Sequence, residues 1–186
     1  MLYTRKGDGG TTKTFGCDQR ISKSSIIAEA LGSLDEINSF LGLCKVKVAE
    51  KGQTLNLGKG LALVDLIHGI QKNLFIVQAE LAGASMSIDE EKIEEVETFI
   101  DTIEKELPPI KTFFISGGTE LAATFDIART ISRRAERRVV GVTEEGKTPV
   151  NKNTLAYLNR LSSLLYAFAR LANYKAGIKE EGPDYK

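Results

Sequence analysis

Residues 61–84 read LALVDLIHGIQKNLFIVQAELAGA, and this stretch constrains the fold more than any other. Leu63, Leu66, Ile67, Ile70, Leu74, Val77 and Leu81 recur every three or four positions, the spacing of one face of an α-helix. Four further stretches carry the same period. The first predicted helix covers about 24–47, with Ser24 or Ser25 as N-cap and Ile27, Leu31, Leu34 and Leu41 facing inward. The third covers about 90–107, capped by Ser87 or Asp89 and stopped by Pro108–Pro109. The fourth spans about 119–142 and the fifth about 154–176. Strands alternating with helices, as in a doubly wound sheet, are missing. The expected fold is all-α: a bundle of five helices.

Within one domain over 1–186, the sequence separates a glycine-rich segment (1–23), the bundle (24–176) and a charged tail (177–186) expected to be mobile. The 25 basic and 25 acidic residues cancel, so bulk charge gives no reason to expect nucleic acid or an anionic membrane as partner. No apolar run reaches the ~20 residues of a membrane span, and a cytoplasmic protein is expected. Cys17 and Cys44 are too few for a disulfide framework and read as structural thiols. One histidine, His68, argues against a transition-metal site and reads as a satisfied structural residue with no role in the chemistry. It also excludes a ferritin-like di-iron centre, which needs two Glu-x-x-His motifs.

The opening stretch GDGGTTKT, Gly7 to Thr14, approaches the Walker A pattern G-x-x-x-x-G-K-[ST] but has Thr12 at the second glycine. Only six residues precede Gly7, and no helix signal begins at Thr14, so the strand–loop–helix context of a P-loop is missing. Two readings stand. Glycines, hydroxyls, Arg5, Lys6 and Lys13 suit a phosphate-binding loop of another kind; the same composition suits a loose polar terminus.

The fourth helix contains ARTISRRAERRVV. At about 100° per residue, Arg129, Arg133, Arg137 and Glu136 fall along the edge of its apolar stripe, and Arg134 and Arg138 fall on the solvent side. Arginines at such an edge form a structural network or bind an anion, because an unpaired buried charge costs several kcal/mol. On the first helix the same arithmetic places Asp35 and Asn38 on the packed side and Glu36 away from it. Asp35 there calls for a cation, with an arginine of the fourth helix as the obvious source. Asn159, beside the apolar stripe of the fifth helix, is either a local hydrogen-bonding residue or a ligand group.

Six stretches, YTRKGDGGTT, Lys23, ALGSLDEINSFLG, FFISGGTELA, ARTISRRAER and LNRLSSLLYAFAR, occur in this order over nearly the whole chain. Together they resemble the PduO-type ATP:cob(I)alamin adenosyltransferases. The resemblance implies a trimer of five-helix bundles with active sites between subunits. It implies transfer of the 5′-deoxyadenosyl group of ATP to cob(I)alamin, with release of triphosphate. The alternative on the same bundle is a non-catalytic ATP or cobalamin carrier or sensor.

By that similarity Thr4, Arg5, Lys6, Gly7, Thr12, Lys13 and Lys23 hold the ATP phosphates. Arg133, Arg134, Ala135, Glu136, Arg137 and Asn159 match the other nucleotide-binding positions. Asp35 and Arg129 match a salt bridge between subunits, and Phe113 matches an aromatic residue that displaces the lower ligand of the corrinoid. Mg²⁺ accompanies the ATP, the corrinoid is a substrate, and the implied partners are a flavin-type reductase and an adenosylcobalamin-dependent enzyme. Two positions depart from the family pattern: Lys6 replaces a hydroxyl residue, and Ser116 stands where a proline precedes the glycine pair.

Overall fold

A computed structural model of the chain describes residues 2–14, 19–51 and 62–185. Five helices follow one another: α1 (Ile26–Lys51), α2 (Leu63–Leu81), α3 (Glu90–Glu106), α4 (Glu120–Glu145) and α5 (Lys152–Lys175). Ahead of them two short antiparallel strands, β1 (Thr11–Thr12) and β2 (Ile21–Ser22), pair Thr11 with Ser22 and Thr12 with Ile21. The five-helix bundle expected from periodicity is the observed fold; the small β pair was not anticipated.

Helix starts follow side-chain capping chemistry. Ser25 Oγ accepts from the Ala28 N–H at 3.4 Å, Asp89 from Lys92 N–H at 3.0 Å, Thr119 from Ala122 N–H at 3.0 Å, and Asn151 from Asn153 N–H at 2.9 Å. The Asn151 cap starts α5 two residues before the expected Thr154. α4 runs three residues past the expected Val142 and stops where Gly146 takes a left-handed φ of 72°.

In the bundle, α1 packs against α2 and α4, and α5 packs against α4 and α3. The core runs along all five helices, with Tyr157, Phe125 and Phe168 its largest fully buried side chains. The rings of Phe125 and Phe168 meet tilted, with centroids 5.2 Å apart, and tie α4 to α5. α1 and α2 are joined by a reciprocal amide pair, Asn38 Nδ2 to the Gln71 carbonyl and Gln71 Nε2 to the Asn38 carbonyl. Buried Glu80 of α2 accepts from the Asn151 N–H and the Thr154 hydroxyl, which satisfies the start of α5.

Two expectations about α1 need correction. Asp35 is exposed, because the buried stripe of α1 runs through Ala30, Leu34, Ile37, Leu41, Cys44 and Val48. Leu31, read as facing inward, is only half-buried, and the buried stripe is centred roughly 100° away from it. His68 is exposed on α2. Cys44 is buried, and burial pushes its thiol up to about 12, the behaviour of an inert core residue. Cys17 lies outside the described residues.

The tail, expected as a loose end, folds back on the bundle. The Ile115 N–H donates to the Glu181 carbonyl at 2.9 Å, and Arg170 of α5 pairs with Glu180 at 2.9 Å.

Candidate functional site

The N-terminal segment is a built turn. Asp8 N–H donates to the Arg5 carbonyl, Gly10 N–H to the Gly7 carbonyl, and Lys23 N–H to the Gly10 carbonyl at 2.9 Å. Arg5 holds a left-handed φ of 58°, rare for a residue with a Cβ. Lys23 lies over Gly7: a Cβ at Gly7 would come within 3.1 Å of the Lys23 ammonium. Glycine there lets a cation approach the backbone. Thr4, Arg5, Lys6 and Lys13 are exposed, and Thr12 is half-buried in β1.

Sequence reasoning missed the residue that braces this loop. Arg20 donates from Nε to the Thr11 hydroxyl and from Nη2 to the Thr11 carbonyl, both at 2.7 Å, and from Nη2 to the Lys6 carbonyl. An arginine ten residues past Gly10 carries no local motif, and only the β1–β2 pairing brings it back.

The arginines of α4 divide into three groups. Arg129 is half-buried, 5.8 Å from the ring centre of Tyr166 and 3.6 Å from Asp126 Oδ1, and its buried Nε lacks a hydrogen-bond partner. Arg133 and Arg137 are exposed. Arg134 pairs with Glu36, and Arg138 lies 3.8 Å from Glu29, two contacts that lace α4 to α1. The expected ion pair between these helices therefore exists, but through Glu36 and Glu29. Among the described residues Asp35 has no ion-pair partner within the protomer.

Ala135 is fully buried in the core, so its side chain cannot reach a nucleotide. Glu136 and Asn159 are brought together: Asn159 Nδ2 donates to Glu136 at 3.0 Å, and Asn159 Oδ1 accepts from Arg160 at 2.9 Å. Arg160 in turn pairs with Glu97 of α3 at 2.7 Å.

A cavity of about 420 Å³ opens between α4, α5 and the 108–119 loop. Phe113, Asp126, Arg129, Arg133, Tyr166 and Arg170 are among its lining residues. Phe113 is 81% exposed, so its ring has little packing in the protomer and is free to meet a ligand. Burial pushes the Tyr166 phenol up, opposed by Arg170, so it stays a neutral hydrogen-bond donor. The loop's glycines are fixed from below. Asp126 accepts from the Gly117 N–H at 3.2 Å, and Asn173 bonds the Gly117 carbonyl and the Thr119 N–H at 2.9 and 3.0 Å. Asp126, Tyr166, Arg170 and Asn173 were not singled out in the sequence; the last three lie on the α5 face that follows Asn159.

Together the fold and the site define a helical bundle in which cationic α4 side chains meet an aromatic-rimmed cavity large enough for a planar ligand. Known proteins sharpen that class. The cobalamin adenosyltransferase family model matches residues 2–172. The corrinoid adenosyltransferase of Bacillus subtilis strain 168 is 38% identical over 181 residues, covering 95% of this chain and 89% of that one. The corrinoid adenosyltransferase PduO of Citrobacter freundii is 40% identical over 182 residues, covering 94% of this chain and 50% of its own, so the chain spans about half that relative's length. A solved variant of the PduO-type ATP:corrinoid adenosyltransferase of Lactobacillus reuteri, complexed with cobalamin and ATP, superposes with a TM-score of 0.85 at 31% identity, over 98% of this chain and 99% of that one. The chain belongs to the cobalamin adenosyltransferase family.

Proposed function

We propose that the protein transfers the 5′-deoxyadenosyl group of ATP to cob(I)alamin, forming adenosylcobalamin and releasing triphosphate. The observation that carries this reading is a shared wall: Arg129 and Arg133 of α4 line the same cavity as the exposed ring of Phe113. A charged leaving group and a broad apolar ligand would meet there. The relatives support the reading, since a variant of the Lactobacillus reuteri enzyme was captured with cobalamin and ATP together.

The reaction forms one bond and breaks one. The Co(I) electron pair attacks C5′ of ATP, and the C5′–O bond breaks with its electrons leaving on triphosphate. No proton moves, so no general base is required. Holding the two reactants in line is worth up to about 7–11 kcal/mol in favourable cases. Fixed cations stabilise the charge growing on the triphosphate. Thr4, Arg5, Lys6, Gly7, Thr12, Lys13 and Lys23 form the phosphate cradle in this reading, with Arg133 and Arg137 closing it. Glu136 and Asn159 offer the nucleotide paired polar groups, and Arg134 joins them by leaving Glu36. Ala135 contributes packing behind the arginines.

Phe113 occupies the space beneath the corrinoid, excludes the lower ligand and makes Co(I) easier to reach. The reading includes a homotrimer in which Asp35 of one copy meets Arg129 of another; Asp35 is exposed and has no ion-pair partner among the described residues of its own protomer. The described residues hold no group of three or more His, Cys, Asp or Glu side chains suited to a metal ion. The lysine- and hydroxyl-rich loop fits phosphate rather than a bare cation, so Mg²⁺ fits as the counter-ion carried on ATP, where it offsets phosphate charge. No described helix is long and apolar enough to cross a membrane. A flavin-type reductase supplying Co(I), an adenosylcobalamin-dependent recipient enzyme and a cytoplasmic setting complete the proposal.

ATP labelled at C5′ tests it. The label should appear in the corrinoid product; a protein that binds both ligands and leaves the label in ATP is a carrier or sensor.

A further inference from the structure

The 108–119 loop carries Phe113, yet the Phe113 ring packs on little, so the direction of that ring must be set by the backbone beside it. Two structures hold that backbone. One is Arg170 of α5, 3% exposed, which donates to the Pro108 carbonyl at 3.0 Å and lies 5.1 Å from the ring centre of Phe114. The other is the C-terminal tail. Glu180 accepts from Arg170 Nε at 2.9 Å, and its neighbour Glu181 accepts from the Ile115 N–H at 2.9 Å. One residue on, Gly182 lies so close that a Cβ there would stand 3.0 Å from Thr112 Cγ2 and 3.5 Å from the Phe113 carbonyl. The tail thus touches residues 112, 113 and 115, the immediate neighbours of the ring's own backbone.

The chemistry of the anchor explains its strength. A guanidinium at the depth of Arg170 needs a carboxylate, because an uncompensated buried charge is strongly destabilising. Glu180 satisfies it from the tail rather than from the bundle, so pairing the arginine and docking the tail are one event. Both side chains also line the cavity, with Phe114 stacked above the guanidinium.

We infer that Arg170 and Glu180 are positioning residues that fix the Phe113 ring in the cavity by strapping residues 180–182 across the 112–115 backbone. This rests on the proposed role of Phe113 in excluding the lower ligand. The pair does not touch the reacting atoms; it acts through the loop. A misdirected ring should therefore hurt a corrinoid that carries a lower ligand and spare one that lacks it.

The test compares adenosylation of cob(II)alamin with that of a corrinoid lacking the lower base, under the same reductant and ATP, for wild type, Glu180→Gln, Gly182→Val and Phe113→Ala. Gly182→Val leaves Glu180 in place and crowds Thr112, because a Cβ at this exposed residue would stand 3.0 Å from Thr112 Cγ2. The inference expects Glu180→Gln to lose about tenfold or more on cob(II)alamin, the scale of one charge-assisted hydrogen bond, and Gly182→Val, which keeps that bond, to lose in the same selective direction. Both should stay within about twofold on the base-free corrinoid and in ATP affinity. Exchange of the Ile115 amide with solvent should rise in the same two variants without any ligand. Equal losses on both corrinoids, or no loss in either variant, overturn the inference. If Phe113→Ala shows no selective loss, the role of Phe113 fails and the strap falls with it; if only the tail variants lack it, Phe113 keeps its role and the strap alone is rejected.

Discussion

Arg134 on α4 is held by Glu36 on α1, while Arg133, its neighbour in sequence, is turned toward the cavity. The 100° step between successive helical residues produces this split. A phosphate that recruits Arg134 must compete with a carboxylate already in place. Exposed pairs of this kind contribute roughly 0.2–1 kcal/mol. Glu36→Gln should therefore lower KM for ATP by about one-and-a-half- to fivefold, and Arg134→Ala should raise it. Steady-state kinetics of the two variants checks the pair of directions together.

Phe113→Ala should slow adenosylation of cob(II)alamin far more than it weakens ATP binding. Because the ring is largely exposed, thermal unfolding should barely move. Equal losses in rate and ATP affinity would reject the assigned role.

Gly118 has a φ of 96°, and a Cβ there would lie 2.4 Å from Asn173 Oδ1. Gly118→Ala combines backbone strain of about 1–3 kcal/mol with a clash against the amide that holds Gly117 and Thr119. A loss of at least about 2 kcal/mol in denaturant unfolding is expected, together with reduced activity on cob(II)alamin.

Asp89 caps α3, and its carboxyl is held below the usual range by hydrogen bonds from the Lys92 ammonium and the Lys92 N–H. A folded-state value below the unfolded one means its contribution is present above the ordinary carboxylate range and is lost as pH falls through the lowered value. Urea midpoints should separate wild type from Asp89→Asn at pH 6 and draw together toward pH 2–3.

The helices were legible because their apolar residues repeat with the period of the core: all seven positions read on α2 are buried. Caps such as Ser25 and Asp89 were legible because capping is local chemistry. Orientation at the edge of a stripe was not. The buried stripe of α1 is centred roughly 100° from Leu31, and a turn of that size carries Asp35 from the packed side to solvent. Of the cavity lining, Arg129 and Arg133 were placed by the period of α4, and Phe113 was named through the family resemblance. Arg20, Arg170 and Glu180 act across chain breaks in periodicity, joining a strand to a turn and a tail to a loop. No spacing rule connects Glu180 to Phe113; only the folded α5 and its returning tail do.

The most direct test is anaerobic turnover of the purified protein with Mg²⁺-ATP and chemically reduced cob(I)alamin, following the absorbance change as the cobalt–carbon bond forms and quantifying triphosphate alongside. Adenosylcobalamin and triphosphate should accumulate in equal amounts, and Arg133→Ala should suppress both. Tight binding of both ligands with neither product formed would contradict the account and leave a binding protein in place of an enzyme.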